Sequence, residues 1–160
     1  MSNGTAKPAS DLVIRPMADG DIDAILDMEN AVFSDPWPRM AFVEQLKGPY
    51  WGAIVAEHAG VVIGYACYLV VADESHLTNI AVTPEHRRKS VAKLLLERIL
   101  QIVADLDCTL ILLEVRPSNR EAIGFYEKYG FDLLYRRPNY YRRPIEDALV
   151  MVRHLTDNED

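Results

Sequence analysis

The sequence predicts a mixed α/β fold, with a central sheet of mixed strand direction flanked by helices. Two apolar runs, Trp51 to Glu57 and Val61 to Val71, flank the tight turn His58-Ala-Gly60 and read as a hairpin. Further along, apolar runs alternate with segments whose apolar residues recur at helical spacing, which calls for crossovers. The chain has 160 residues, 49% of them hydrophobic, so one domain can bury a full core without metals or disulfides.

Residues 1–10 are polar and lack an apolar signal segment, so they are expected to form a disordered lead. Residues 11–156 are expected to form a single domain, with 157–160 as a tail. Leu12 to Arg15 reads as a first strand. From Asp19 a helix is expected, with Ile22, Ile25, Leu26, Val32 and Phe33 on one stripe and three aspartates near its start. Phe33-Ser-Asp-Pro-Trp-Pro38 breaks it, and a shorter helix follows to about Lys47. After the hairpin comes a short strand, Leu77 to Val82. A long amphipathic helix is expected from Arg88 to about Leu106, with the stripe Val91, Leu94, Leu95, Ile99, Ile102, Val103 and Leu106. Thr109 to Val115 is nearly all apolar, as in a strand buried on both faces. Ser118-Asn-Arg-Glu121 has the form of a capping box, and Gly130 suits a left-handed helix end. Phe131 to Arg136 and Ala148 to Val152 read as closing strands, separated by a polar, tyrosine-rich loop.

Charge narrows the function. The chain carries 17 Lys+Arg against 24 Asp+Glu, and its first 80 residues hold 4 of the bases and 11 of the acids. That sign argues against nucleic-acid binding. An acidic face would steer a basic substrate, although acidity also simply confers solubility. Cys67 and Cys108 lie in apolar runs and read as free buried thiols, and no Cys/His pattern suggests a metal. The uncharged stretch Val61 to Ala72 is too short to span a bilayer. A cytoplasmic, metal-free protein is expected, monomeric or weakly dimeric.

Three segments can carry chemistry. In the first, Asn79 to Ala92, a strand enters a basic turn holding Arg87, Arg88 and Lys89 and then a helix. Free N–H groups at that helix start form an anion site suited to a diphosphate; the alternative is a solvated basic turn. In the second, Leu113 to Asn119, the carboxylate of Glu114 sits in an apolar strand. It must be paired, hydrated or functional, and a salt bridge to Arg116 on the same strand face is the structural option. Tyr126 follows on an apolar helical face, where a tyrosine is ordinarily core. The third segment, Asn139 to Ala148, contains Tyr140-Tyr141 and Glu146-Asp147.

These motifs together resemble the GNAT superfamily of acetyltransferases and, within it, the RimI family of ribosomal-protein N-terminal alanine acetyltransferases. The turn is similar to the superfamily's acetyl-CoA pattern Gln/Arg-x-x-Gly-x-Gly/Ala. Arg87 and Ala92 match it, and Ser90 stands at its first glycine position. Glu114-Val-Arg-Pro-Ser-Asn119, Ala122-Ile-Gly-Phe-Tyr126 and Gly130-Phe131 resemble the RimI arrangement. So do Tyr140-Tyr141, Pro144, Glu146-Asp147-Ala148 and Met151, and the upstream Phe33 with Pro36-Trp37. The resemblance covers about residues 12–155.

It implies a mostly antiparallel central sheet with about four flanking helices, and acetyl-CoA as co-substrate. The implied acceptor is the α-amine of a basic protein, most of all the alanine terminus of a small-subunit ribosomal protein. Glu114 would be the base and Tyr126 the acid. Ile80, Ala81 and Val82 would align with the pantetheine arm, with a backbone N–H there as oxyanion donor. Arg87, Arg88, Lys89, Ser90, Val91, Ala92 and Lys93 would wrap the diphosphate, and Asn119 would hydrogen-bond the cofactor. Phe33, Trp37, Tyr140 and Tyr141 would line the peptide groove, with ordinary core packing as the alternative for Phe33. The rival functions are acetylation of lysine or a small amine, and a non-catalytic CoA-binding interaction module.

Overall fold

The computed structural model describes residues 11–87 and 90–155. Among them are strands β1 (Leu12–Pro16), β2 (Trp51–His58), β3 (Val61–Val71), β4 (Glu74–Val82), β5 (Leu110–Val115), β6 (Asp132–Arg142) and β7 (Ile145–His154). The helices are α1 (Ile22–Val32), α2 (Arg39–Gln45), α3 (Val91–Asp105) and α4 (Arg120–Lys128). The sheet order is β1-β2-β3-β4-β5-β7-β6. Only β4 and β5 pair in parallel among the pairings described here, so the mixed, mostly antiparallel sheet expected from the sequence is present. No helix among the described residues is long and apolar enough to cross a membrane.

The chain divides into two compact units. The first combines residues up to Cys67 with Asn79–Ile99. Here β1 pairs antiparallel with β2, Ile14 opposite Ala56. Ala59 and Gly60, both at positive φ (49° and 84°), make the two-residue turn to β3. That is the backbone a type I′ turn demands. The α1 stripe of Ile22, Ile25 and Met28 packs with Met17, Phe42, Val55, Tyr65 and Cys67. At Gly64 a Cβ would lie 3.1 Å from the Ala81 carbonyl and from Leu95, so glycine permits the close seat of α3 on β3. A bidentate pair from Arg15 to Asp21 (2.8 and 2.9 Å) fixes the entry to α1. The Arg15 hydrogen bonds hold the Asp21 carboxyl below the usual carboxylate range, against the opposing effect of burial.

The second unit combines Tyr68–Thr78 with the chain from Leu100 onward. Glu74, Ser75 and His76 pair with Leu110, Ile111 and Leu112. This stretch is polar, so the apolar pattern predicts the strand only from Leu77, whereas β4 starts at Glu74. The fully buried Ser75 is accommodated by donating its hydroxyl to the Leu110 carbonyl at 2.8 Å. Strand β5 is not buried on both faces throughout: Ile111, Leu113 and Val115 are buried, while Leu110, Leu112 and Glu114 are half-buried. Asn119, not Ser118, caps α4, accepting the Ala122 N–H at 3.2 Å. The expected tyrosine-rich loop is strand: β6 runs on through Tyr140 and Tyr141, pairing with β7 across register irregularities. Asp147 supports this extension by accepting from the Asn139 N–H at 2.9 Å and from Arg136 at 3.0 Å.

Helix α3 spans Val91–Asp105, and its expected start at Arg88 lies outside the described residues. Leu96 is fully buried, whereas Leu106, beyond the helix end, is 51% exposed. Gly130, at φ 86°, closes α4 as expected. Cys67 and Cys108 are free and buried.

Candidate active site

In the second unit, strand alternation places Leu112, Glu114 and Arg116 on one side of β5. The option of a Glu114–Arg116 salt bridge is not realised. Arg116 instead donates to the carbonyls of Pro144 (2.9 Å) and Arg143 (3.4 Å) and to Glu146 (3.3 Å). Its guanidinium also lies 4.2 Å above the Tyr141 ring. Glu146 is further held by the Ser118 N–H (2.7 Å) and hydroxyl (2.9 Å). Desolvation pushes the Glu146 carboxyl up, but these donors and Arg116 outweigh it and leave it below its ordinary range. Glu114, half-buried, makes no hydrogen bond or ion pair with the described residues.

Three tyrosines complete this region. Burial, and then the charge of Glu114, raises the Tyr140 phenol. Burial, the neighbouring Tyr140 and Glu114 push Tyr141 up to about 12. Their rings meet edge to face at 5.0 Å. Tyr126, 7% exposed in α4, packs against Phe125 (5.4 Å) and Phe131 (5.7 Å). Burial first, and Tyr141 second, lifts its phenol well above the ordinary value. All three therefore keep their protons at neutral pH, and Tyr140 and Tyr141 feel the charge of Glu114. Asn119, at the start of α4, spends its side-chain oxygen on the cap.

In the first unit, β4 ends in Ile80, half-buried, and Ala81 and Val82, both buried. A short 3-10 turn, Pro84–His86, then leads to Arg87. Arg88 and Lys89 lie outside the described residues. Ser90 has φ 66°, the left-handed conformation that glycine adopts without strain. The glycine position of the acetyl-CoA pattern thus keeps a glycine-like backbone although it carries serine. The Ser90 carbonyl accepts from Leu94 at 3.1 Å, so helical bonding starts there. The N–H groups of Val91, Ala92 and Lys93 precede any intrahelical acceptor, as helix geometry requires. Val91 is buried, Ala92 half-buried, and the exposed Lys93 pairs with Glu97 at 3.9 Å.

Phe33 is partly buried and packs on the first unit's core. Trp37, its ring 5.4 Å from Phe42, walls a shallow apolar cleft of about 300 Å³ with Pro38, Ala41, Glu44, Gln45 and Trp51. The sequence reading missed Glu29. This residue is 1% exposed, and its carboxylate accepts from the Tyr65 hydroxyl, the Asn79 amide and the Trp37 backbone N–H (2.8 Å). The signal was available: Glu29 falls at i+7 from Ile22 and i+4 from Ile25, on the buried stripe.

Residues 22–131 match the acetyltransferase (GNAT) family, and the chain belongs to that family. It is 37% identical over 139 residues to a protein of Bacillus subtilis (strain 168) provisionally named a [ribosomal protein bS18]-alanine N-acetyltransferase, covering 86% of this chain and 92% of that one. The crystal structure of the ribosomal-protein-S18-alanine N-acetyltransferase from Escherichia coli superposes with a TM-score of 0.83 at 30% identity, over 92% of this chain and 97% of that one. Arabidopsis thaliana NAA60 in complex with acetyl-CoA has a TM-score of 0.80 at 16% identity, over 89% and 98% of the two chains, which speaks for the fold alone.

Proposed function

We propose that this protein transfers the acetyl group of acetyl-CoA to the N-terminal α-amine of a basic protein in the cytoplasm, the preferred acceptor being the alanine terminus of a small-subunit ribosomal protein. Likeness to the bacterial bS18-alanine N-acetyltransferases supports the acceptor. The observation that carries the chemistry is that Arg116 donates to Pro144, Arg143 and Glu146, so Glu114 does not pair with it.

Acetyl-CoA suits the first unit's turn. The left-handed Ser90 and the free N–H groups of Val91, Ala92 and Lys93 provide an anion cradle for its diphosphate, with Arg87, Arg88 and Lys89 adding charge. Ile80, Ala81 and Val82 supply the strand edge for the pantetheine arm, and Asn119 a further polar contact. When bound, the co-substrate supplies an activated acetyl thioester.

A protein α-amine has a pKa of about 8, so at neutral pH much of it is protonated and cannot attack. Glu114 takes that proton, directly or through water. A backbone N–H in Ile80–Val82 stabilises the oxygen that gains charge. Tyr126, whose burial keeps its proton in place, donates it to the departing thiolate. Tyr140, Tyr141 and Trp37 are assigned to the acceptor peptide, while Phe33 packs on the first unit's core. The test is thiol release from acetyl-CoA with an Ala-starting basic peptide, set against spermine and an N-blocked lysine peptide. Release with the free peptide alone is expected; release with spermine and none with the peptide contradicts the reading.

A further inference from the structure

We infer that Glu29 is a positioning residue: its buried carboxylate anchors the Phe33–Pro38 loop through the main chain of Trp37 and so sets the affinity for the acceptor peptide. This rests on the peptide acetyltransferase reading above.

A buried carboxylate without a cation is costly, and a leucine at position 29 would serve packing at least as well. Among the described residues no Lys or Arg pairs with Glu29; Arg15 pairs instead with Asp21 and Glu57. Its partners are three neutral donors, and they differ in kind. Tyr65 on β3 and Asn79 on β4 both donate to Oε1, which fixes the carboxylate against the sheet. Oε2 is then aimed at the Trp37 N–H.

That N–H is special because of its neighbours. In Pro36-Trp37-Pro38 the two prolines have no N–H, so Trp37 holds the segment's single main-chain donor. Asp35 and Trp37 each precede a proline and are restricted to extended backbone. A stiff segment with one donor can be placed by one acceptor. Placing it seats the Trp37 ring against Phe42 as a wall of the apolar cleft. Asn79, the other anchor, directly precedes Ile80. One carboxylate therefore holds the acceptor-side loop and touches the strand assigned to the co-substrate.

The test is steady-state kinetics on the full chain with an Ala-starting basic peptide and acetyl-CoA. The Glu29→Leu/Tyr65→Phe double variant removes a donor together with its acceptor and replaces both with apolar groups, which limits the loss of stability. It is expected to raise the peptide KM about tenfold, the worth of roughly one anchoring hydrogen bond, and to move the acetyl-CoA KM less than about twofold. Glu29→Gln should recover most of the peptide KM. Its amide oxygen can face Trp37 while the Tyr65 hydroxyl and a turned Asn79 amide accept from its NH2. An unchanged peptide KM in the double variant overturns the inference, as does a parallel rise in both KM values or a glutamine variant as defective as the double. Independent of any variant, the Trp37 amide of the wild-type protein should exchange hydrogen as slowly as the amides of α1; exchange at an open-loop rate overturns the anchor. Wild-type protein that acetylates no peptide would sink the functional reading itself, an outcome visible before any variant is made.

Discussion

Glu29 and Glu114 are both carboxylates set among apolar residues, yet the structure treats them in opposite ways. Glu29 is sealed from solvent and carries three donors, one of them a backbone N–H. Glu114 is half-buried and, among the described residues, has neither hydrogen bond nor ion pair; the arginine two residues on is claimed by the β6–β7 turn. A carboxylate whose acceptor sites are filled holds structure in place. A carboxylate without such partners among the described residues is a candidate to take a proton, the role proposed for Glu114. Asp21 is a third case, filled by a cation.

The comparison is broken most directly at Glu114. Glu114→Gln keeps the shape but cannot accept a proton, so kcat should fall by about 10²–10⁴-fold. Raising the pH should recover part of that loss, because more of the amine is already neutral. Its melting temperature should stay near the wild-type value, since no partner is left stranded. The reverse holds at Glu29: thermal unfolding should show Glu29→Leu less stable by about 2–4 kcal/mol, with the buried Tyr65 hydroxyl and the Trp37 N–H losing their acceptor and Asn79 keeping only the Tyr65 hydroxyl. A Glu114→Gln protein that melts early while Glu29→Leu does not would invert the assignment.

Asp21 sharpens the same contrast with a pH dependence. Arg15 lowers its folded pKa, so its stabilisation is present above the unfolded value of about 3.9 and is lost as pH falls through the lower folded value. Asp21→Asn should be less stable than wild type by about 1–2 kcal/mol near neutrality. The gap should close in acid, as denaturant titrations at several pH values would show. The smallest effect is expected at Ser90, which involves no carboxylate. Ser90→Gly relieves a left-handed serine and should stabilise by up to about 1 kcal/mol, with acetyl-CoA affinity by calorimetry equal or tighter. A large loss of affinity would give the serine side chain a contact of its own.

The sequence exposed most of the architecture because apolar periodicity marks elements that bury one face. It misjudged β4 and β6, whose ends are polar: Ser75 and Asp147 satisfy themselves through hydrogen bonds that hydropathy cannot register. The settings of Glu114, Tyr126 and the Ser90 turn in the chain fit ordinary structural roles as well, and it is their resemblance to the family's motifs that picks them out. The release of Glu114 from Arg116 could not be picked out, since it depends on Glu146, 30 residues from Arg116 in the chain. Glu29 was legible as an acid on an apolar stripe, but its meaning depends on Asn79, 50 residues away.

In the proposed reaction the attacking group is an α-amine. This is tested by mass-spectrometric localisation of the acetyl group on a basic, Ala-starting peptide that also contains lysine, after incubation with acetyl-CoA. Acetylation is expected at the N-terminal α-amine, faster at low salt as an acidic enzyme and a basic substrate require, and strongly reduced with Glu114→Gln. Acetylation at the lysine side chain, or an α-acetyl product formed at the full rate by Glu114→Gln, would contradict it.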